Sequence, residues 1–200
     1  MLHRILKRLI DIVGAIAGLL IILPFLPLIA LSIKMNSSGP VFVVLDRVSR
    51  GKRISIYKFR SMIAGAQKMK NGLINLNERN DGPFFKIKKD PRVTGVGRIL
   101  RKLKLDEFPQ LLNVLTGELS LVGPRPHEPE EILNYPSAFR HLPLAKAGAT
   151  GLSQVSGASG LPFLKELELD DYYIKNQSIG LDLKILLKTL WILISDPHGV

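Results

Sequence analysis

The chain has 200 residues, of which 46% are hydrophobic, so it has room for one folded domain plus an apolar segment. It contains no cysteine, which excludes disulfides, thiolate zinc sites and a cysteine nucleophile. A formal net charge of +11 predicts an anionic partner: nucleic acid, phospholipid head groups or a phosphorylated substrate.

The first predicted element is an apolar run over residues 9–33, in which Asp11 is the only charged residue. A run of this length can cross a bilayer core as a helix, so it is expected to meet lipid. A secretory signal peptide is disfavoured, because the run is long for one and no small-residue cleavage site follows it.

Two features bear on the path of this run. Pro24 and Pro27 remove backbone donors in its middle and predict a break in the helix. Basic residues flank it on both sides, and the positive-inside rule places both flanks in the cytoplasm. These features favour a segment that enters the membrane and returns, with Asp11 near the interface, but a spanning helix remains an alternative.

Residues 41–45 are apolar and β-branched, and residues 54–59 alternate between apolar and polar, so both are predicted strands. The turn residues between them predict a hairpin. Residues 61–70 are predicted to form a short helix, and residues 71–83, which have no periodicity, a loop.

The central segment carries the candidate catalytic residues. Residues 97–104 predict a short basic helix that exposes Arg101. Asp106 is then predicted as the N-cap of the next helix, where Asp106 and Glu107 would lie at its positive end. Carboxylates kept ionised beside bound phosphates are natural ligands for Mg²⁺, although an Asp-Glu pair at a helix start is more often only a cap.

A Gly-Pro-Arg-Pro stretch downstream can hold the guanidinium of Arg125 rigidly toward a phosphate. His127 follows this turn and is a candidate acid or base, although a lone histidine is more often a surface or packing residue.

The order of motifs from Lys58 to Ser178 resembles the bacterial sugar transferases, the monotopic phosphoglycosyl transferases that act in glycan-precursor synthesis. The resemblance covers nearly the whole chain. The matching stretches are Tyr57-Lys58-Phe59-Arg60-Ser61-Met62, Asp90-Pro91-Arg92-Val93-Thr94, Leu105-Asp106-Glu107-Phe108-Pro109-Gln110-Leu111, Leu119-Ser120-Leu121-Val122-Gly123-Pro124-Arg125-Pro126, Gly151-Leu152-Ser153-Gln154-Val155-Ser156-Gly157 and Glu168-Leu169-Asp170 with Tyr173 and Asn176.

The resemblance implies a two-step reaction. Asp106 attacks the β-phosphorus of a UDP-sugar and UMP leaves; polyprenyl phosphate then takes the phosphosugar from the aspartate. Glu107 is implied to bind magnesium or to assist proton transfer, and both roles stay open. The implied substrate-binding residues are Lys58, Arg60, Arg101, Arg125 and Asp170.

The resemblance also implies a Pro-broken re-entrant helix at the N-terminus. We therefore expect a mixed α/β, mostly helical protein with a re-entrant membrane helix over residues 1–36, a small β-hairpin and amphipathic interfacial helices. Residues 37–200 would form a catalytic domain on the cytoplasmic face of the bacterial inner membrane. Residues 181–194 are predicted to form a helix at the bilayer surface, because Trp191 and two lysines share it, with a core helix as the alternative.

The expected partners are a UDP-sugar, polyprenyl phosphate and membrane lipids, with a homodimer left open. Residues 84–87 resemble the glucose- or galactose-1-phosphate branch of the family more than the acetamido-sugar branch, which implies a hexose. Ala-Gly-Ala-Thr-Gly at residues 147–151 departs from the family's Pro-Gly-Ile-Thr-Gly and puts sugar choice in doubt. A membrane-anchored nucleic-acid-binding module is the main rival, but the sequence offers no binding motif or stacking surface for it. An inactive scaffold is disfavoured by the intact Asp106 and Glu107.

Overall fold

The computed structural model describes residues 2–157 and 160–195, so residues 158–159 and 196–200 of the predicted catalytic domain lie outside the described part. The fold is mixed α/β and mostly helical, as predicted. The helices are α1 Leu2–Ile22, α2 Leu26–Asn36, α3 Gly95–Lys102, α4 Gln110–Thr116, α5 Pro129–Ile132, α6 Leu152–Val155, α7 Phe163–Lys175 and α8 Ile179–Ser195; the strands are β1 Phe42–Ser49, β2 Lys52–Phe59, β3 Ser120–Val122 and β4 Gly148–Thr150.

Helices α1 and α2 form one helical segment that is interrupted by a 3-10 turn over Leu23–Phe25. Pro24 lies at the start of this turn and Pro27 at the start of α2, where the missing N–H is tolerated. The segment His3–Asn36 is long and apolar enough to cross a membrane. Its re-entrant path stays a prediction.

One face of the N-terminal segment packs against the rest of the protein. Gly14 and Gly18 allow this close approach, since a Cβ on either glycine would come within 2.5 Å of Leu121 or Leu111. Farther along, Ile29 and Ile33 are buried. The opposite face exposes large apolar side chains, among them Ile5, Leu9, Val13, Ile16, Leu20, Leu23, Phe25, Leu28 and Leu31.

Three charged side chains on α1 bind the domain rather than solvent. Lys7 donates to Asp182 on α8 at 2.7 Å, and Arg8 donates to the carbonyls of Val114 and Leu115 near the end of α4. Asp11 is buried and accepts from Ser120 Oγ and Leu121 N. The protein itself therefore supplies the hydrogen bonds of Asp11, and the location of Asp11 near the membrane interface stays a prediction.

The predicted hairpin is confirmed, with β1 and β2 antiparallel and Val43 opposite Lys58. The helix predicted over residues 61–70 is wrong. Met62 forms an isolated bridge with Val93, residues 64–70 form successive turns, and Gly65 takes a φ of +78° that a helix does not allow. The predicted loop over residues 71–83 contains a 3-10 helix, Asn71–Leu76.

The largest core cluster gathers around β3 and β4, which pair in parallel. It includes Ala15 from α1, Val114 from α4, Tyr173 from α7 and Ile185 from α8, so the N-terminal helix shares the core of the domain. The predicted C-terminal helix is confirmed as α8, and it exposes Leu187, Trp191 and Ile194. Its place at a bilayer surface stays a prediction.

Candidate active site

The site begins where α3 ends. Thr94 caps α3 by accepting a hydrogen bond from Gly97 N at 3.0 Å. Gly97 is required here, because a Cβ would lie 1.9 Å from the Ser61 carbonyl oxygen. The basic helix thus lies directly against the segment that follows β2, and its last turn carries Arg101 and Lys102.

Asp106 and Glu107 lie in a separate 3-10 turn, Leu105–Glu107. The prediction that Asp106 caps the next helix is wrong, because Pro109 occupies the N-cap position of α4. Lys104 explains the difference: its left-handed φ of 54° turns the chain after α3, so that a new short turn begins before α4.

The surroundings shift the pKa values of the Asp106 and Glu107 carboxyl groups in opposite directions. Burial raises the pKa of Asp106, against the opposing charge of Lys58, and the neighbouring charge of Glu107 raises it further. Burial would also raise the pKa of Glu107, but the charges of Lys58 and Arg125 and a hydrogen bond from Lys58 lower it to about 2. Neighbouring carboxyls whose pKa values move apart are typical of catalytic pairs with divided roles.

The hairpin positions Lys58, whose Nζ lies 2.5 Å from Glu107 Oε1. A buried amide docks this hairpin on α4: Asn113 accepts from Tyr57 N and donates to Ser55 O. The sequence motifs contain Lys58, but the docking role of Asn113 was missed, since a single asparagine in an apolar helix gives no signal for a partner so far away in the chain.

Arg101 donates through Nε to Ser61 Oγ at 2.8 Å, and its charge acts to lower the pKa of Asp106. The charge of Lys104 likewise acts to lower the pKa of Glu107, and the sequence did not predict this role of Lys104. The turn therefore carries two carboxyls surrounded by cations from β2, α3 and the segment after β3.

Asp170 fixes the backbone of the Gly123–Pro126 segment, which is called the Arg125 turn below. It is buried on α7, where Oδ2 accepts from Arg125 N at 3.0 Å and Oδ1 accepts from Ser153 Oγ at 2.7 Å. Burial raises the pKa of Asp170 to about 6, although the Ser153 hydrogen bond acts to lower it. Both oxygens thus accept hydrogen bonds from the protein, one from Arg125 N and one from Ser153 Oγ, and the predicted contact of Asp170 with substrate stays a prediction.

Arg60 is buried at the end of the apolar segment. Its guanidinium donates to the carbonyls of Ser37, at 2.8 Å, and Ser38, and it also reaches Ile33 O. These contacts fix the last turn of α2 to the end of β2. The structure therefore shows a positioning contact for Arg60, and its predicted role in substrate binding stays a prediction.

His127 is buried two residues after Arg125. Its ring stacks on Phe84 at a centroid distance of 4.5 Å, and its Nδ1 lies 3.6 Å from the Glu131 carboxylate. Its Nε2 has no hydrogen-bond partner among the described residues. These contacts show His127 in a packing position next to the Arg125 turn.

Within residues 2–157 and 160–195, no group of three or more histidine, aspartate and glutamate side chains forms a metal site. Asp106 and Glu107 nevertheless provide the one or two carboxylates that Mg²⁺ ordinarily takes from a protein when substrate phosphates and waters complete its shell. The donor set therefore fits magnesium held jointly with a phosphorylated substrate.

Comparison with known proteins shows the family of the chain. The chain belongs to the bacterial sugar transferase family, whose sequence model matches residues 2–196. It is similar to a UDP-galactose-lipid carrier transferase of Erwinia amylovora, at 36% identity over 96% of this chain and 41% of the relative. It is 40% identical to an undecaprenyl-phosphate galactose phosphotransferase of Salmonella typhimurium, over 93% of this chain and 40% of the relative.

A third relative is the exopolysaccharide production protein ExoY of Rhizobium meliloti, 36% identical over 92% of this chain and 83% of the relative. The chain thus spans about two fifths of the length of the first two relatives and most of the third.

Proposed function

We propose that the protein is a phosphoglycosyl transferase that moves a sugar-1-phosphate from a UDP-sugar to polyprenyl phosphate and releases UMP. One observation carries the proposal: Asp106 lies buried beside Glu107, and Glu107 forms an ion pair with Lys58. The positive charge of Arg101 acts on Asp106, and that of Arg125 acts on Glu107. Such clustered cations neutralise charge on a phosphoryl group in transfer.

In the first step, a carboxylate oxygen of Asp106 forms a bond to the β-phosphorus of the UDP-sugar. The bond from that phosphorus to the bridging oxygen breaks, and UMP leaves with the electron pair. In the second step, an oxygen of polyprenyl phosphate attacks the same phosphorus, frees the Asp106 carboxylate and yields the polyprenyl diphosphate sugar. Splitting one displacement into two lets a single site serve a soluble donor and a lipid acceptor.

Asp106 and Glu107 would hold the magnesium ion, which supplies charge neutralisation at the diphosphate when bound. The protein's own groups complete the site. Lys58 keeps Glu107 ionised, and the Arg125 turn, fixed by Asp170, presents a guanidinium suited to bidentate contact with phosphate.

The proposal includes a re-entrant N-terminal segment at the cytoplasmic face of the bacterial inner membrane. Both ends of the segment are attached to the same domain: Lys7 and Asp11 near its start, and Ser37, through Arg60, at its end. A domain that holds both ends supports their location on one side of the bilayer. The exposed apolar faces of α1 and α8 supply the surface for lipid.

The donor is proposed to be a UDP-hexose and the product a precursor for exopolysaccharide or a related glycan. The galactose in two relatives' names and the exopolysaccharide in the third support this choice.

The test is release of UMP from UDP-glucose, UDP-galactose and UDP-N-acetylgalactosamine by the detergent-solubilised chain, with and without polyprenyl phosphate. Repeated turnover that requires polyprenyl phosphate is expected with a hexose donor. No UMP release from any donor would contradict the proposed function, and turnover only with the acetamido sugar would contradict the hexose assignment.

A further inference from the structure

Helix α1 holds every residue of strand β3. Asp11 Oδ2 accepts from Ser120 Oγ at 2.6 Å, and Asp11 Oδ1 accepts from Leu121 N at 2.8 Å. Lys7 Nζ donates to Val122 O at 3.0 Å. Two charged side chains of the N-terminal segment therefore bind β3 along its whole length.

These contacts supply what a second neighbouring strand would supply. In the described part of the chain β3 pairs with β4 alone, and Ser120 N donates to Ala147 O, the residue before β4. A buried backbone N–H needs an acceptor, and Asp11 provides one for Leu121. Asp11 is itself only 2% exposed, and Lys146 Nζ lies 3.9 Å from its carboxylate. A charged group is thus buried where α1 meets β3.

Apolar packing alone would attach α1 to the domain without fixing its position along β3. Ala15 lies in the core, and Gly14 and Gly18 bring the helix close to its neighbours. Apolar contacts are non-directional, whereas a hydrogen bond restricts both distance and angle. The two hydrogen bonds of Asp11 therefore fix the register between α1 and β3, which the apolar contacts do not.

The position of β3 is passed on to the Arg125 turn, which begins at the next residue. Pro124 O accepts from Gly148 N at 2.9 Å, and a Cβ on Gly123 would lie 2.7 Å from the same nitrogen. The two prolines of the turn also fix φ. Arg125 follows Val122 by three residues, which span at most about 10 Å. A displacement of β3 therefore moves Arg125 instead of being absorbed in the turn.

Arg125 connects β3 to the candidate catalytic carboxyls. Its charge acts to lower the pKa of Glu107, so the guanidinium lies within electrostatic reach of the Asp106–Glu107 pair. A group that must meet a substrate in one geometry can lose roughly a hundredfold in rate when it is misplaced by about 1 Å. The placement of β3 therefore matters for the reaction, although no atom of β3 or α1 takes part in it.

We propose that Asp11 is a positioning residue for the transfer reaction: by holding β3 it sets the place of Arg125 relative to Glu107. The N-terminal segment is then part of the support of the active site as well as the attachment to lipid. This inference rests on the proposed function and adds to it a residue that acts through Arg125.

The experiment compares kcat for UMP release among variants of the full detergent-solubilised chain, with a UDP-hexose radiolabelled in the uridine so that slow rates remain measurable. Asp11→Ala removes both hydrogen bonds and should lower kcat by roughly ten- to a hundredfold. Asp11→Asn removes the charge beside Lys146, but its amide can still accept from Leu121 N and donate to Ser120 Oγ. It should therefore keep kcat within about threefold of the unaltered chain.

Ser120→Ala removes only one of the two hydrogen bonds and serves where Asp11→Ala does not fold; it should lower kcat by roughly three- to tenfold. In an Arg125→Gln background neither Asp11→Ala nor Ser120→Ala should lower kcat further, because the guanidinium that they displace is already absent. Arg8→Met is the matched control. It removes the hydrogen bonds from α1 to the end of α4 and none to β3, so it should retain kcat at temperatures where it is folded.

An unaltered kcat in Asp11→Ala or, where that variant does not fold, in Ser120→Ala would overturn the positioning role and leave the proposed function standing. The same conclusion would follow if Asp11→Asn were as slow as Asp11→Ala, or if the losses were equally large with and without Arg125. No UMP release by the unaltered chain would contradict the proposed function, and the positioning role with it.

Discussion

Among single residues, Glu107 is distinguished by its ion pair with Lys58 and its lowered pKa. Replacing it by glutamine removes one of the two proposed magnesium-binding carboxylates and turns the ion pair with Lys58 into a hydrogen bond to a neutral amide. Glu107→Gln should lower kcat by roughly a hundredfold or more and raise the magnesium concentration needed for half-maximal rate. Rates at varied magnesium check this, with Glu168→Gln as the control. Full turnover with an unchanged magnesium requirement would exclude both proposed roles of Glu107.

Asp170 gives a prediction about stability and pH. Its pKa in the folded protein is about 6, above its ordinary value of 3.8, so the folded state binds the proton more tightly than the unfolded state. Asp170 therefore costs no stability below pH 4, and its ionisation destabilises the folded state as the pH rises from 4 to 6. Asp170→Asn keeps the shape and can still accept from Arg125 N, but it cannot ionise.

On going from pH 4 to pH 7, the free energy of unfolding of Asp170→Asn should therefore rise relative to the unaltered chain by up to about 3 kcal/mol. Denaturant midpoints in detergent at the two pH values measure this difference. An equal difference at both pH values would show that the Asp170 carboxyl has an ordinary pKa in the folded protein.

The sequence predicted that Lys58, Arg101, Arg125 and the Asp106–Glu107 pair belong to one site. Lys58, Arg125 and the pair lie in the matching motifs, and Arg101 lies on the predicted basic helix just before the pair. The sequence did not predict the local geometry of the pair. A lysine with a positive φ, as at Lys104, has no compositional signal, so the chain turn that separates Asp106 from α4 depends on tertiary packing.

Among the elements, α1 is joined to α8 by an ion pair that the apolar sequence of the N-terminal segment does not predict. Lys7 pairs with Asp182, which is buried and also accepts from Tyr173 Oη. Lys7→Leu leaves this carboxylate without its cation and should destabilise the protein by roughly 3 kcal/mol. Thermal melting in detergent measures the loss, with Arg4→Leu, an exposed cation on the same helix, as the control.

The double variant Lys7→Leu with Asp182→Leu should recover much of this stability, because no buried charge then lacks its partner. If Lys7→Leu and Arg4→Leu melted at the same temperature, the attachment of α1 through Lys7 would contribute nothing to stability.

Elements with a strong periodic pattern were predicted well, and short ones were not. Alternation in residues 54–59 gave the hairpin, and apolar periodicity gave α8. Strands β3 and β4 have three residues each, too few for any period to show, and they form only because their pairing closes the core around them. The helix predicted over residues 61–70 failed at Gly65.

For the whole molecule, the re-entrant path predicts that both flanks of the N-terminal segment face the cytoplasm. The chain has no cysteine, so single cysteines can be placed at His3 and at Ser38, both of which are exposed. In intact spheroplasts an impermeant thiol reagent should label neither position, and both should react once the membrane is opened. Labelling of one position from outside would show that the segment spans the membrane.

Transfer through a covalent phosphosugar on Asp106 can be detected by mass spectrometry of the intact protein and of its proteolytic peptides, after mixing with a UDP-hexose in the absence of polyprenyl phosphate. We expect a mass increase of one hexose phosphate on the peptide that contains Asp106, together with UMP in equal amount, and loss of the adduct when polyprenyl phosphate is added. Asp106→Asn should show neither adduct nor UMP, while Asp46→Asn, an exposed aspartate on β1, should behave as the unaltered chain. An adduct that persists in Asp106→Asn, or turnover by that variant at the normal rate, would show that Asp106 is not the nucleophile.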